Sequence, residues 1–149
     1  MKGGLGSASI TLPGVEPIRL DVTKPEEVAA AAKELGDVTL VINNAGISRG
    51  SGFLGDDGLV AVRAEFETNF FGPLTVARAF APTLGKNGGG AIVNVLSALS
   101  WVSMPTASTY CASKSAAWSL SNGLRHELDR KSTRLNSSHR SLSRMPSSA

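Results

Sequence analysis

The stretch from Ala91 to Lys114 constrains this chain more than any other, because it reads as strand, loop and helix in one run. Ala-Ile-Val-Asn-Val-Leu at 91–96 is short, apolar and β-branched, and Gly88-Gly89-Gly90 bounds it on one side. Such a run suits a strand buried in a parallel sheet better than a half-exposed one. Val38 to Ile42 is a second run of this type, and a long helical pattern separates the two, from Asp56 through Val60, Val62, Phe66, Phe70 and Leu74 to about Leu84. The segments at 38–43 and 91–96 are therefore expected to lie side by side and parallel. Ser97 falls at the carboxyl end of its strand, the edge where ligands bind in open α/β sheets. After Pro105 an Ala- and Ser-rich helical pattern runs from Thr106 to Leu128, carrying Tyr110, Lys114, Trp118, Leu120 and Leu124.

Tyr110 and Lys114 are four residues apart, which puts both side chains on one face of that helix. An ammonium beside a phenol favours the phenolate. An isolated tyrosine titrates at about 10, so about 4 kcal/mol is needed to bring one near neutrality. One positive charge about 4 Å away supplies about that much at an effective dielectric of about 20, and a phenol so tuned serves as general acid or base. Tyr-x-x-x-Lys at 110–114, with Ser97 thirteen residues earlier, resembles the active site of the classical short-chain dehydrogenase/reductase family.

Other segments fall in the same family order. Asn43-Asn44-Ala45-Gly46 directly follows the 38–42 strand and resembles the family motif beside the cofactor, where small residues let the backbone approach it. Asp21-Val22 resembles the Asp-Val that meets the adenine end. Asn-Phe-Phe-Gly at 69–72 matches the family's fourth catalytic position at Asn69. Pro73 adds a physical reason for interest in Asn69: proline has no N–H, so the Asn69 carbonyl loses its partner four residues on and is available to a water. The resemblance implies a partial Rossmann-like, doubly wound α/β sheet comprising the third to fifth strands and their helices. It implies an NAD- or NADP-dependent oxidoreductase interconverting a small alcohol and a carbonyl, with Tyr110 as acid/base, Ser97 polarising the substrate oxygen, Lys114 tuning Tyr110 and holding the nicotinamide ribose, and Asn69 anchoring a relay water. Asp21, Val22, Asn43, Asn44, Ala45, Gly46, Tyr110 and Lys114 are the implied cofactor contacts, and a homodimer or homotetramer is the implied parent assembly.

The rest of the chain sets the bounds. Pro17 to Val22 alternates apolar and polar residues like a strand, and Thr23-Lys24-Pro25-Glu26 reads as a capping box opening a helix that runs to about Leu35 on Val28, Ala31 and Ala32 and closes at Gly36. With 149 residues there is at most one domain, expected over 17–128, with a disordered lead-in at 1–16 and a disordered tail at 129–149. The tail holds seven serines, five basic residues and one acid; it accounts for +4 of the formal +3, so residues 1–128 carry −1 and offer no basic stripe for nucleic acid. Asp-Arg-Lys-Ser-Thr-Arg-Leu-Asn-Ser-Ser-His at 129–139 looks like translated sequencing adapter, and the genuine chain is expected to stop near Leu128. No membrane span or secretory leader is visible, and a single cysteine, Cys111, fits a reducing, cytoplasmic setting. With His126 and His139 far apart and no second cysteine, no metal site is expected.

Gly3-Gly4-Leu5-Gly6 has neither the preceding strand nor the following helix of a dinucleotide loop. Relative to the family pattern, the first and second strands, the Thr-Gly-x-x-x-Gly-x-Gly loop and the sixth and seventh strands have no counterpart, so uncovered sheet edges and marginal stability are expected. That pattern makes a non-catalytic fragment, able only to associate through its two long helices, a rival reading. A remoter one is a serine hydrolase at Ser48, prompted by Gly46-Ile47-Ser48-Arg49-Gly50, which must form a tight strand-to-helix elbow.

Overall fold

The computed structural model describes residues 17–130. Helix α1 (Pro25–Glu34) leads to strand β1 (Leu40–Asn43), helix α2 (Gly58–Phe66), a π-helical segment (Glu67–Phe71), helix α3 (Gly72–Lys86), strand β2 (Ala91–Asn94), two 3-10 turns (Ala98–Ser100 and Pro105–Ala107) and helix α4 (Ser108–Arg130). The two strands pair in parallel, in the register Leu40 with Ala91 through Asn43 with Asn94. Backbone bonds extend the ladder by one step at each end, from Ala91 N to Thr39 O at 3.0 Å and from Val95 N to Asn43 O at 2.9 Å.

The core is small and one-sided. Val28 and Ala31 of α1, Val41 and Ile92 of the sheet, and Val76, Ala77, Phe80 and Leu84 of α3 form a single buried cluster. Burying each larger side chain contributes about 1.5–3 kcal/mol. Close approach of α3 to the strands sets the turn before β2: a Cβ on Gly90 would collide with the Thr39 carbonyl and lie 2.8 Å from Leu84 Cδ2. Gly88 and Gly89, with φ of 85° and 105°, carry the chain through the left-handed region that glycine tolerates.

Several expectations need correction. Residues 17–22 form no strand. A strand exists only with a ladder partner, and the sheet of the described residues contains β1 and β2 alone; the Asp21 N–H donates instead to Glu27 Oε2 at 2.8 Å. The capping box is also absent. Lys24 is the N-cap without a side-chain bond, and Pro25 begins α1 with its φ already set for a helix. Both strands are shorter than their apolar runs. β1 is covered on one face only: Val41 and Asn43 are buried, while Leu40 and Ile42 are 53% and 58% exposed, because side chains alternate and nothing among the described residues packs on the second face. That open flank is an apolar groove of about 330 Å³ whose lining includes Leu20, Val22, Leu35, Leu40, Ile42 and Phe80.

The long helix expected from Asp56 is interrupted. Between α2 and α3 the Gly72 N–H reaches Glu67 O, five residues back, in a π-helical segment that contains Asn69 and ends two residues before Pro73. A proline after the bulge leaves no N–H to continue the ordinary ladder from Asn69. Val60, assigned to the apolar stripe, is 61% exposed. The last helix begins at Ser108 rather than Thr106, after a 3-10 turn, and its backbone continues to Arg130, two residues into the stretch assigned to the tail. The readings of residues 1–16 and 131–149 lie outside the described residues.

Candidate functional site

Three elements meet at the carboxyl end of the sheet: the loop after β1, the π segment and the first turns of α4. Asn69 is 1% exposed and bonds the loop twice, accepting from Ile47 N–H and donating to Ile47 O, each at 2.9 Å. Its second amide hydrogen goes to Ser113 Oγ at 2.8 Å, and the Ser113 hydroxyl donates to the Tyr110 carbonyl at 2.8 Å. One asparagine thus ties the loop to the helical turn that carries Tyr110 and Lys114.

Lys114 is 6% exposed and donates to Val95 O at 2.9 Å, just past the end of β2. Burial holds its ammonium below the ordinary lysine value of 10.5. Its Nζ lies 5.8 Å from the centre of the Tyr110 ring. The position of Gly46 ties the loop to these groups: a Cβ built there would stand 3.3 Å from Asn69 Oδ1 and 3.4 Å from Lys114 Nζ. Asn44, Ala45 and Gly46 are exposed, while Asn43 is buried and its amide donates to Asn94 Oδ1 at 2.8 Å. The carboxyl end of the sheet thus offers a bare backbone surface of small residues beside an amine and an amide. An amine and a carboxamide beside small residues are groups able to hydrogen-bond hydroxyls and amides of a ligand.

Ser97 is placed differently. It caps the first 3-10 turn, accepting from Leu99 N at 3.2 Å and donating its own N–H to Ser100 Oγ at 3.4 Å. Ser115 of α4 donates to Ser100 O at 2.8 Å, so the turn is fastened to the helix bearing Tyr110. Neither the Ser97 nor the Tyr110 hydroxyl donates to the other. Asp21 and Val22 are engaged locally: Asp21 Oδ1 accepts from Thr23 N at 2.9 Å and Thr23 Oγ1 at 2.8 Å, and the bond from the Thr23 N–H is the chief cause holding its carboxyl below 3.8. Val22 packs partly on the core and lines the apolar groove.

Residues outside the motifs complete the framework. Asn94 donates to Ser121 Oγ at 2.8 Å, which donates to Ala117 O at 2.8 Å, linking Asn43 to α4 through the sheet. The signal for Asn94 was a polar residue inside an apolar strand. Glu65, one helical turn before Asn69, is fully buried and accepts from Arg49 N at 2.7 Å. The Gly46-Ile47-Ser48-Arg49-Gly50 stretch is no elbow, because β1 ends at Asn43 and α2 begins at Gly58.

A family model described as short chain dehydrogenase matches residues 9–140. The chain belongs to the short-chain dehydrogenase family. It is similar to the uncharacterized oxidoreductase YusZ of Bacillus subtilis, 37% identical over 112 residues that cover 73% of this chain and 40% of YusZ. It is also similar to dehydrogenase/reductase SDR family member 7B of Xenopus laevis, at 38% identity over 72% of this chain and 34% of that protein. Among solved structures, a short chain dehydrogenase from Burkholderia cenocepacia in complex with NADP superposes with a TM-score of 0.76 at 45% identity, covering 81% of this chain and 51% of that one. A short chain dehydrogenase/reductase from Burkholderia phymatum in complex with NAD gives a TM-score of 0.74 at 34% identity, over 81% and 44% of the two chains. This short-chain dehydrogenase sequence thus spans less than half the length of those curated relatives and about half that of the solved neighbours. Among its described residues no helix is long and apolar enough to cross a membrane.

Proposed function

We propose that this chain carries the catalytic centre of an NAD(P)-dependent oxidoreductase that interconverts an alcohol and a carbonyl. The observation that carries the reading is the meeting of Lys114 Nζ, Asn69 Oδ1 and the Gly46 backbone at the carboxyl end of a parallel strand pair, with Tyr110 one turn before Lys114 on α4. The family's solved members with NADP or NAD support the cofactor class. NAD(P), when bound, supplies or accepts the hydride, since no side chain does so.

In the reducing direction the Tyr110 hydroxyl gives its proton to the substrate oxygen, and Ser97 donates a second hydrogen bond that stabilises charge developing there. Lys114 has three N–H groups, of which Val95 O takes one, leaving donors for a ribose hydroxyl and for a water held at the Asn69 carbonyl. Lys114 follows Tyr110 by one turn of α4, with its Nζ 5.8 Å from the centre of the Tyr110 ring. Asn43, Asn44, Ala45 and Gly46 would hold the nicotinamide side of the cofactor, and Asp21 with Val22 would meet its adenine end.

The 149-residue polypeptide contains no Thr-Gly-x-x-x-Gly-x-Gly sequence. Without such a turn feeding a helix N-terminus the pyrophosphate charge lacks compensation, so the polypeptide by itself shows no turnover. The test is a chimera in which a related enzyme supplies the first strand-loop-helix unit and the last strands. The chimera reduces a carbonyl with NAD(P)H; its Tyr110→Phe variant binds cofactor normally and loses turnover by about 10²-fold or more, and Lys114→Met loses both. An active Tyr110→Phe chimera overturns the acid/base assignment, and turnover by the isolated polypeptide overturns the pyrophosphate argument.

A further inference from the structure

Glu65 has no role in the chemistry just described and yet occupies one of the most closed positions in the molecule. It is 0% exposed, and Oε1 accepts from Arg49 N–H at 2.7 Å. Oε2 is buried and has no hydrogen-bond partner among the described residues. Other buried donors at this end of the sheet are committed elsewhere: the Thr109 hydroxyl to Ser51 O, the Ser113 hydroxyl to Tyr110 O, and both Asn69 amide hydrogens to Ile47 O and Ser113 Oγ. A buried carboxyl with one oxygen unmatched opposes folding. A position serving packing alone is better filled by an apolar side chain of the same size.

We propose that Glu65 is a positioning residue that holds the loop after β1 at the cost of fold stability. Glu65 and Asn69 are one helical turn apart and form two rungs of one clamp: Asn69 grips the N–H and C=O of Ile47, and Glu65 grips the N–H of Arg49. Gly46 immediately precedes the gripped segment and must stay beside Asn69 Oδ1 and Lys114 Nζ. Ser51, just beyond it, is anchored separately by Asp57 Oδ1 at 2.6 Å and by Thr109. Arg49 is therefore the point between two anchors where the backbone would relax if Glu65 were removed. The importance of this for catalysis rests on the proposed function, in which residues 43–46 floor the nicotinamide side; the clamp itself does not.

The two substitutions Glu65→Met and Glu65→Gln in the full 149-residue chain separate a positioning role from a packing role. Thermal melting and residue-resolved amide hydrogen exchange are read on both and on the parent chain. Glu65→Met keeps the volume and removes the unmatched oxygen, so Tm rises by a few degrees, while exchange at the Arg49 amide accelerates about tenfold, as the loss of one net hydrogen bond implies. Glu65→Gln retains an acceptor and restores Arg49 protection to within about twofold of the parent. A fall in Tm on Glu65→Met, with exchange accelerated throughout α2 and α4, shows a packing residue and overturns the proposal. So does an Arg49 amide that exchanges alike in all three chains, or one without protection in the parent. None of these readings needs dinucleotide, so failure of the oxidoreductase reading in the chimera and failure of the clamp appear in different experiments.

Discussion

At the carboxyl end of the sheet Glu65, Asn69, Thr109, Ser113 and Lys114 are all buried, and Glu65 Oε2 is the one buried side-chain polar atom of the described residues left without a partner. On the open flank of β1, by contrast, Leu40 and Ile42 are half exposed over an apolar groove. Hydrogen bonds are short and directional, so a few of them fix the geometry of Gly46, Asn69 and Lys114 within the residues that make them. Apolar burial works by area, and a single strand face is not covered by its own residues. The molecule therefore holds its candidate site rigidly beside a sheet surface that it leaves open.

The sharpest way to break this comparison is Asn69→Leu. It deletes three hydrogen bonds and strands both polar groups of Ile47, so urea denaturation is expected to show a loss of about 3–4 kcal/mol; a loss under about 1 kcal/mol would mean the polar end is held by something else. Lys114 gives the next test. Its folded pKa lies below the unfolded 10.5, so between the two the unfolded state binds more protons and stability climbs as pH rises. The urea midpoint should increase through that window up to pH 10.5 in the parent chain and stay flatter in Lys114→Met; equal slopes would place Lys114 in water rather than in the site.

On the apolar flank smaller effects are expected. Leu40→Thr with Ile42→Thr should change stability by no more than about 0.5 kcal/mol per site while reducing self-association in light scattering. A loss above about 2 kcal/mol would show that the flank is covered in solution. Asp21 gives the smallest effect. Its carboxyl is fully exposed and held below 3.8 by Thr23, so the stabilisation it contributes is present above 3.8 and lost as pH falls through its lowered pKa. Thr23→Val removes the hydroxyl bond and keeps the larger backbone one, so in an NMR titration the Asp21 midpoint should move only part of the way back toward 3.8; an unmoved midpoint would remove the Thr23 hydroxyl as a contributor.

The parallel pairing of the 38–43 and 91–96 runs was legible because two β-branched apolar segments separated by a helical crossover have few other ways to bury themselves. The lost hydrogen bond at the Asn69 carbonyl was legible from the missing N–H of Pro73, but the interruption of the helix was not, because the π segment depends on Gly72 reaching back to Glu67. The strand read at 17–22 failed for the opposite reason: alternation describes what a strand would bury and says nothing of whether a ladder partner exists. The Thr23 capping box failed because Asp21 took the Thr23 hydroxyl and N–H first. Glu65 gave no sequence signal beyond its spacing from Asn69, and a glutamate in a helix is ordinarily read as solvated.

The sequence by itself determined the local, short-range features: that Pro25 lies in the first turn of α1, that Tyr110 and Lys114 share a helical face, that small residues follow β1, and that the chain is a short-chain dehydrogenase sequence. These follow from backbone periodicity and from side chains a few positions apart. Only the tertiary structure decided that Gly46 sits against both Asn69 and Lys114, that Asn94 joins Asn43 to Ser121, that Glu65 is sealed with one oxygen unmatched, and that Leu40 and Ile42 face outward. Each of those depends on contacts between residues far apart in the chain, where burial and the supply of hydrogen-bond partners are set by what packs alongside and not by the neighbours in sequence.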